Sequence, residues 1–435
     1  MSKNFWRWRK RDTPTLRNLR TVGRGMIELA EAKRFVLERV RALAPEEYAL
    51  EDATGCVLAE KIQAREAVPG FVNSSMDGFA LRASDTTNGT VRLRVIDSIR
   101  AGEISSRCLE PGSAMRIMTG APLPEGADCV CMIEEALVEG DVVRVDRTLS
   151  PGDFVRQVGE DTAIGDVLFT PGDELNAAGV GVLAGQGVGT VRVHPRVRVG
   201  VLSTGNELVP SRAPLGPGQI RDLNRPMLLA LVREAGCEPI DLGTAGDTRE
   251  AVTESLRAGV ESCDAVISTG GVSVGDVDFV KVVIAELGGD DARWMQVAIK
   301  PGKPFAFGVV GPRRTPIFGL PGNPVSSKVS FEMFVRPSLR TLGGHRQCER
   351  LVLDAVLDSP LERPSDAKVH LVHVRVKWGA DGRAHVVDTS RRGSHLLNAV
   401  VGANALAVVE QDSARDAGDS VRVIILDPDS IEPST

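Results

Sequence analysis

The sequence predicts an α/β multidomain fold: a central α/β domain with a mostly parallel sheet, a β-rich insert domain before it and a C-terminal β-barrel-like domain after it. Three observations lead there. Between residues 196 and 334, continuous apolar runs rich in β-branched residues alternate with helix-spaced segments, the pattern of a parallel sheet with helices on both faces. Before that stretch, short alternating runs are separated by Pro-Gly and Asp-rich turns. After about Gly344 the two-residue alternation returns, as in residues 369–376 and 421–426. A length of 435 residues agrees with about three domains of roughly 150 residues each.

The elements follow in order. Residues 1–25 read as a basic arm, with Lys3, Arg7, Arg9, Lys10, Arg11, Arg17, Arg20 and Arg24 around Trp6 and Trp8. No apolar core follows, so the arm is not a secretory signal. It is expected to be disordered, to precede a start at Met26, or to bind a membrane surface or partner. Leu29, Val36, Val40 and Leu43 recur at helical spacing until Pro45, predicting an amphipathic helix over 27–43. Strand runs at 91–96, 127–133 and 142–145 make the small β domain. Strands at 196–202, 239–242, 265–268 and 316–320 then alternate with helices at 226–235, 249–260, 277–287 and 325–334.

Bulk properties exclude several function classes. With 42% hydrophobic and 25% charged residues the chain is an ordinary globular protein, and a net charge of -6 argues against a general nucleic-acid binder. No stretch approaches the roughly 20 uncharged apolar residues that span a bilayer, so no membrane partner is expected. The seven cysteines contain no Cys-x-x-Cys pair. Cys129 and Cys131 read as core packing within a strand, and scattered free thiols fit a reducing cytoplasm.

The chemistry concentrates in three loops: Gly-Gly-Val-Ser-Val-Gly-Asp-Val-Asp from Gly270, Lys-Pro-Gly-Lys-Pro from Lys300, and Gly-Leu-Pro-Gly-Asn-Pro from Gly319. Backbone N–H groups in Gly-rich turns, with hydroxyls from Ser268, Thr269 and Ser273 and the cations of Lys300 and Lys303, suit a polyanion. The first loop is not a Walker P-loop, because Asp276 stands where Lys-Ser/Thr would be needed. Ser203-Thr204-Gly205 and Ser268-Thr269-Gly270 are similar strand ends, and ligands of open α/β sheets bind beyond the carboxyl ends of strands. Glu207, Asp222, Asp247, Asp276 and Asp278 crowd the same ends. Carboxylates beside a polyanion repel it unless a cation intervenes, and magnesium, held by one or two carboxylates plus phosphate oxygens, resolves the conflict. One of Asp276 and Asp278 is expected to serve as a helix N-cap. The glycines from 179 to 189 read as packing, and His370 and His373 face opposite sides of a strand.

Asn73-Ser74-Ser75-Met76-Asp77-Gly78-Phe79-Ala80, Arg116-Ile117-Met118-Thr119-Gly120-Ala121-Pro122, Gly159-Glu160-Asp161 and Ser203-Thr204-Gly205-Asn206-Glu207-Leu208 join these loops in resembling signature segments of the molybdopterin molybdenumtransferase family, which includes the C-terminal domain of gephyrin. The resemblance runs from about Met26 to the end. It implies an elongated, dimerising subunit of four parts: residues 26–64 with 159–195, the insert 65–158, the α/β part 196–344 and the β barrel 345–435. It implies a reaction in which adenylylated molybdopterin and molybdate give molybdenum cofactor and AMP with magnesium, in a homodimer that can meet other cofactor-biosynthesis proteins.

On that resemblance Asp77, Thr119, Asp161, Glu207, Asp247 and Asp278 are catalytic candidates, and Asp247 and Asp278 are the metal candidates. Ser268, Gly270, Gly271, Ser273, Gly275, Lys300, Lys303, Pro321, Asn323, Pro324 and Ser394 are the molybdopterin-binding candidates. The chain departs from the family at Asn206 (commonly Asp), at Gln296 (lysine in the family site) and at residues 365–370, where a Gly-Arg pair and a later Arg are usual. Arg375, Arg391 and Arg392 are candidate replacements. The departures keep an alternative open, a divergent paralogue acting as molybdopterin carrier, chaperone or dimeric scaffold.

Overall fold

The structure, a computed structural model, describes residues 25–210, 212–273, 278–361, 366–387, 393–410 and 416–433. Residues 1–24 of the basic arm, Gly275, Asp276, Arg391 and Arg392 therefore lie outside the described residues. Helix α1 (Leu29–Leu37) forms where the apolar spacing places it. Its stripe does not join the first part of the chain, as the boundary 26–64 supposes. Ala32, Val36 and Val40 pack into the central core with Val199, Phe307 and Phe334, and Phe35 sets its ring edge-on to Phe307 at 6.2 Å. Backbone bonds from Ile27 N–H to Gln296 O (2.9 Å) and from Leu43 N–H to Leu342 O (2.8 Å) pin both ends of this segment to the same unit. The apolar face of α1 fits the broad sheet surface there.

The first unit begins after α1. Thr190–His194 lies between Glu46–Ala49 and Val57–Leu58, antiparallel to both, and Ile62–Gln63 pairs with Val167–Phe169. Helix α2 (Ala177–Gly185) is N-capped by Asn176, whose Oδ1 accepts from Gly179 N–H at 2.8 Å. Gly179, Gly181 and Gly185 thus belong to a capped helix, with Gly179 packed against Phe169 and Leu175, and Gly187 and Gly189 lie in the turn that follows it. The insert is a six-stranded sheet in the order Cys129–Met132, Gly78–Leu81, Ser113–Ile117, Val91–Ile99, Val142–Val145, Ala136–Glu139. Cys129 and Cys131 are core residues beside Phe79 and Leu93. Burial raises both thiols, that of Cys131 to about 11.

The central unit runs β1 (Arg198–Thr204), α3 (Asn224–Glu234), β2 (Glu238–Ala245), α4 (Arg249–Ser262), β3 (Ala265–Thr269), α5 (Phe279–Gly288), β4 (Arg293–Gln296), β5 (Pro304–Val310) and β6 (Thr315–Leu320). The sheet order is β2-β1-β3-β6-β5-β4. The first four strands are parallel, and β5 and β4 are antiparallel additions. One face packs on α1 and α3, the other on α4 and α5, through separate cores. The expected helix over 325–334 is α6 (Pro324–Ser330), which passes through a π-turn segment (Phe331–Val335) into α7 (Arg336–Leu342).

The C-terminal strands close into a five-stranded barrel: Val369–Trp378, Ala384–Val387, Val352–Leu357, Ser420–Ile425 and Ala405–Val409, the last pairing back onto the first. Its interior is lined by Val374, Val376, Val386, Ala407 and Val423. His370 and His373 take opposite faces of the long strand. His370 Nε2 meets Asp366 Oδ1 at 2.8 Å, whereas burial, with the Lys328 cation nearby, pushes His373 down to about 3. Where the central unit hands over to the barrel, Glu332 (2% exposed) pairs with Arg350 at 3.0 Å, and Arg350 also donates to Leu426 O at 2.7 Å.

Removing one partner of a buried ion pair strands the other charge. Glu332→Ala is therefore expected to lower stability by about 3–5 kcal/mol, and Glu332→Met with Arg350→Met to recover most of it. Urea denaturation of the variants measures the difference.

Candidate functional site

The carboxyl ends of the parallel strands, Ala245, Thr204, Thr269 and Leu320, lie along one edge of the sheet. Strand β5 runs the other way, so its first residue, Pro304, reaches that edge, and Gln296 at the end of β4 pairs with Pro304. The three loops singled out in the sequence therefore meet at one edge although they are spread over 55 positions, from Gly270 to Pro324.

Hydrogen bonds fix the loops to one another. Thr269 Oγ1 donates to Pro321 O (3.1 Å), and Asn224 Nδ2 donates to Thr269 Oγ1 (3.0 Å) and to Gly322 O (2.7 Å). Asn224, at the start of α3, was not a candidate from sequence, although its place ahead of Arg225-Pro226 carries a helix-start signal. Gly270 has φ 95°, and a Cβ there would lie 2.7 Å from both Thr204 O and Thr204 Oγ1, so only glycine fits beneath the neighbouring strand end. Ser268 is fully buried within β3, and its Oγ has no hydrogen-bond partner among the described residues. Gly271 and Ser273 follow on the loop, where Ser273 O accepts from Lys281 Nζ at 2.8 Å. Lys300 and Lys303 are exposed around Pro301 and Gly302.

The carboxylates divide into two groups. Asp222 is 4% exposed, accepts from Arg225 N–H and pairs with the Arg225 guanidinium at 2.9 Å, so it is a structural residue at the start of α3. Asp247 and Asn206 bond reciprocally: Asn206 N–H donates to Asp247 Oδ2 (2.9 Å) and Asp247 N–H to Asn206 Oδ1 (3.2 Å). That exchange ties the loops after β1 and β2 together. Glu207 folds back over Gly205, where a Cβ would stand 2.5 Å from Oε2. Asp278 occupies the N-cap position of α5, 3.9 Å from Lys281 Nζ.

The barrel reaches the same edge in two places. Ile299–Lys300 pairs in parallel with Val369–His370, and the 319–324 loop meets Ser394. Asn323 Nδ2 donates to Ser394 Oγ (3.3 Å), and Val325 N–H, next to Pro324, to Ser394 O (3.1 Å). Arg375 is ion-paired with Glu432.

Asp77, Thr119 and Asp161 are gathered elsewhere, along residues 68–79. Asp77 Oδ1 accepts from Thr119 N–H (2.7 Å) and from Thr119 Oγ1 (2.9 Å), while Asp161 N–H donates to Val68 O (3.0 Å). Among the described residues, no hydrogen bond or ion pair joins these three to the central-sheet edge. The two Thr119 bonds, backbone first, hold the exposed Asp77 carboxyl below its ordinary value. A lowered folded value means this contribution is present at neutral pH and is lost as pH falls through the carboxylate range. Thr119→Ala keeps the backbone bond and removes the hydroxyl bond. Carbon-13 NMR titration is expected to show Asp77 moving up, yet staying below an ordinary aspartate.

Comparison with known proteins agrees with this architecture. The sequence pattern of the MoeA N-terminal region (domains I and II) matches residues 27–187, that of a probable molybdopterin-binding domain 200–341, and that of the MoeA C-terminal region (domain IV) 356–426. The molybdopterin molybdenumtransferase of Haemophilus influenzae is 35% identical over 92% of this chain and 98% of its own length. Molybdopterin molybdenumtransferase 2 of Mycobacterium tuberculosis is 37% identical over 89% and 96%. A crystal structure of a molybdopterin biosynthesis MoeA protein from Pyrococcus horikoshii superposes with a TM-score of 0.74 at 31% identity, covering 92% of this chain and 99% of that one. A second from the same organism gives 0.76 at 27% identity, covering 92% and 100%. The chain belongs to the molybdopterin molybdenumtransferase (MoeA) family.

Proposed function

We propose that this enzyme inserts molybdenum from molybdate into adenylylated molybdopterin, releasing AMP, in molybdenum cofactor biosynthesis. The observation that carries the reading is the meeting of the three anion-suited loops, Asp247, Asp278, Lys300 and Lys303 at one sheet edge. Adenylylated molybdopterin carries a pyrophosphate and a dithiolene, so it needs an anion cradle with room for a divalent cation. Backbone N–H groups of the Gly270 loop and the two lysines supply the positive side. As the phosphoanhydride bond breaks, negative charge grows on the departing phosphate, and fixed cations stabilise that charge more than the ground state.

Magnesium is part of the proposal. Among the described residues no group of three His, Cys, Asp or Glu side chains converges on a metal position. Two carboxylates from neighbouring loops suit an ion that takes its other ligands from phosphate and water, and Asp247 and Asp278 would hold it. When bound, it would neutralise phosphate charge beside Glu207.

The homodimer supplies the rest of the reading. Asp77, Thr119 and Asp161 are exposed and belong to units other than the central one, so a second copy presenting them to the edge would complete the site. No helix among the described residues is long and apolar enough to cross a membrane, which suits an enzyme acting in the cytoplasm on soluble substrates.

Purified protein incubated with adenylylated molybdopterin, magnesium and molybdate is expected to release AMP in a molybdate-stimulated manner, and chelation by EDTA to stop it. Asp278→Ala should cost on the order of 3 kcal/mol in barrier height, roughly a hundredfold in rate, with unchanged circular dichroism. AMP release indifferent to molybdate would overturn the insertion reading, and wild-type turnover by the variant would remove Asp278 from it.

A further inference from the structure

Three successive carbonyls of the Gly270 loop point into the protein and are each met by a donor. Gly271 O accepts from Lys281 N–H (3.4 Å), Val272 O from Trp294 Nε1–H (2.9 Å) and Ser273 O from Lys281 Nζ (2.8 Å). Two residues, one on α5 and one on β4, account for all three bonds. Their side chains also meet, with Lys281 Nζ 5.7 Å from the Trp294 ring centroid, a cation–π distance.

The peptide group is planar and trans, so its C=O and N–H point in opposite directions. Fixing the carbonyls of Gly271 and Val272 on the side of α5 and β4 turns the N–H groups of Val272 and Ser273 to the other side of the loop. A loop rich in glycine has many alternative conformations, and most would scatter these donors. We propose that Lys281 and Trp294 are positioning residues that hold the Gly270 loop with its N–H groups presented to the phosphate-bearing substrate. This rests on the molybdenum-insertion reading and assigns residues that neither the sequence motifs nor the loop itself single out.

Two further contacts extend the role. Lys281 Nζ stands 3.9 Å from Asp278 Oδ2, and both side chains are largely buried, at 16% and 17% exposure. The same ammonium thus reaches the loop backbone and the carboxylate that follows it. Trp294 and Gln296 lie on one face of β4 by the two-residue repeat, and Gln296 pairs with Pro304, next to Lys303. Strand β4 therefore spans the Gly270 loop and the lysine clamp, and fixes their spacing.

Lys281→Met keeps the aliphatic stem and removes the donor, Lys281→Arg restores one, and Trp294→Phe keeps the ring packing without N–H. In molybdate-stimulated AMP release, Lys281→Met and Trp294→Phe are expected to raise KM for adenylylated molybdopterin up to roughly tenfold, the scale of one hydrogen bond, with little change in Tm. Lys281→Arg should recover most of the loss, and the KM for molybdate should stay put. A readout independent of turnover uses a chain whose other tryptophans, Trp6, Trp8 and Trp378, are Phe. Trp294 emission should then change on addition of adenylylated molybdopterin, and Lys281→Met should shift the midpoint to higher concentration. Wild-type KM in both variants and an unchanged fluorescence midpoint in Lys281→Met, with active wild-type enzyme, would overturn the proposal. A wild-type protein that binds the ligand in the fluorescence assay yet releases no AMP would overturn the insertion reading and leave the loop assignment standing.

Discussion

Strand β5 runs against its parallel neighbours, and the whole candidate site depends on that reversal. In an unbroken parallel sheet the residues ahead of a strand lie on the opposite edge from the loops that follow its neighbours. By pairing antiparallel to β6, β5 brings its leading residues, Lys300 to Lys303, to the same edge as Gly205, Gly270 and Leu320. Strand β4, antiparallel again, ends at that edge with Gln296. Sheet direction alone therefore decides that the cations and the Gly-rich turns share a place.

The barrel is joined to this edge by main-chain bonds as well as by side chains. Parallel pairing joins Ile299–Lys300 to Val369–His370 of the barrel, and Pro304 at the other end of the lysine clamp begins β5 of the central sheet, so the clamp links the two units. Val325 N–H bonded to Ser394 O and the buried Glu332–Arg350 pair hold the junction at two other points. Leu371 and Leu406 of the barrel sit in the same core as Phe305 and Phe331. A barrel bound this way keeps its orientation to the central sheet, so Ser394 and the 319–324 loop are placed together within one chain.

Much of this was legible in the sequence, for physical reasons that also explain the gaps. Continuous β-branched runs such as residues 199–202 and 265–268 signal strands buried on both faces, and their terminal glycines mark where the backbone must turn sharply. Strands β4 and β5 were missed because Arg-Trp-Met-Gln is too short to show a period, and the apolar run from Phe305 adjoins two prolines that read as loop. The spacing of α1 announced an amphipathic helix but carried no information about which sheet would receive its stripe. Asp222 counted as a site carboxylate until its partner Arg225, one helical turn on, was seen to use it. Lys281 and Trp294 were invisible for a different reason. Their role lies in donating to loop carbonyls, and nothing in a side-chain pattern marks which backbone groups a residue will meet.

The strand Thr190–His194 completes a sheet whose other members, Glu46–Ala49 and Val57–Leu58, are made far earlier in the chain. During synthesis the first unit must wait, unsealed, while the whole insert emerges from the ribosome. The insert's six-stranded sheet is local in sequence, lying between Gly78 and Val145, and can form during that wait. It then acts as a folded clasp that keeps the two halves of the first unit close, and reduces the loop-closure entropy of joining them. The order of translation thus favours an order of assembly: insert first, first unit next, and the central sheet only after the chain has passed β6.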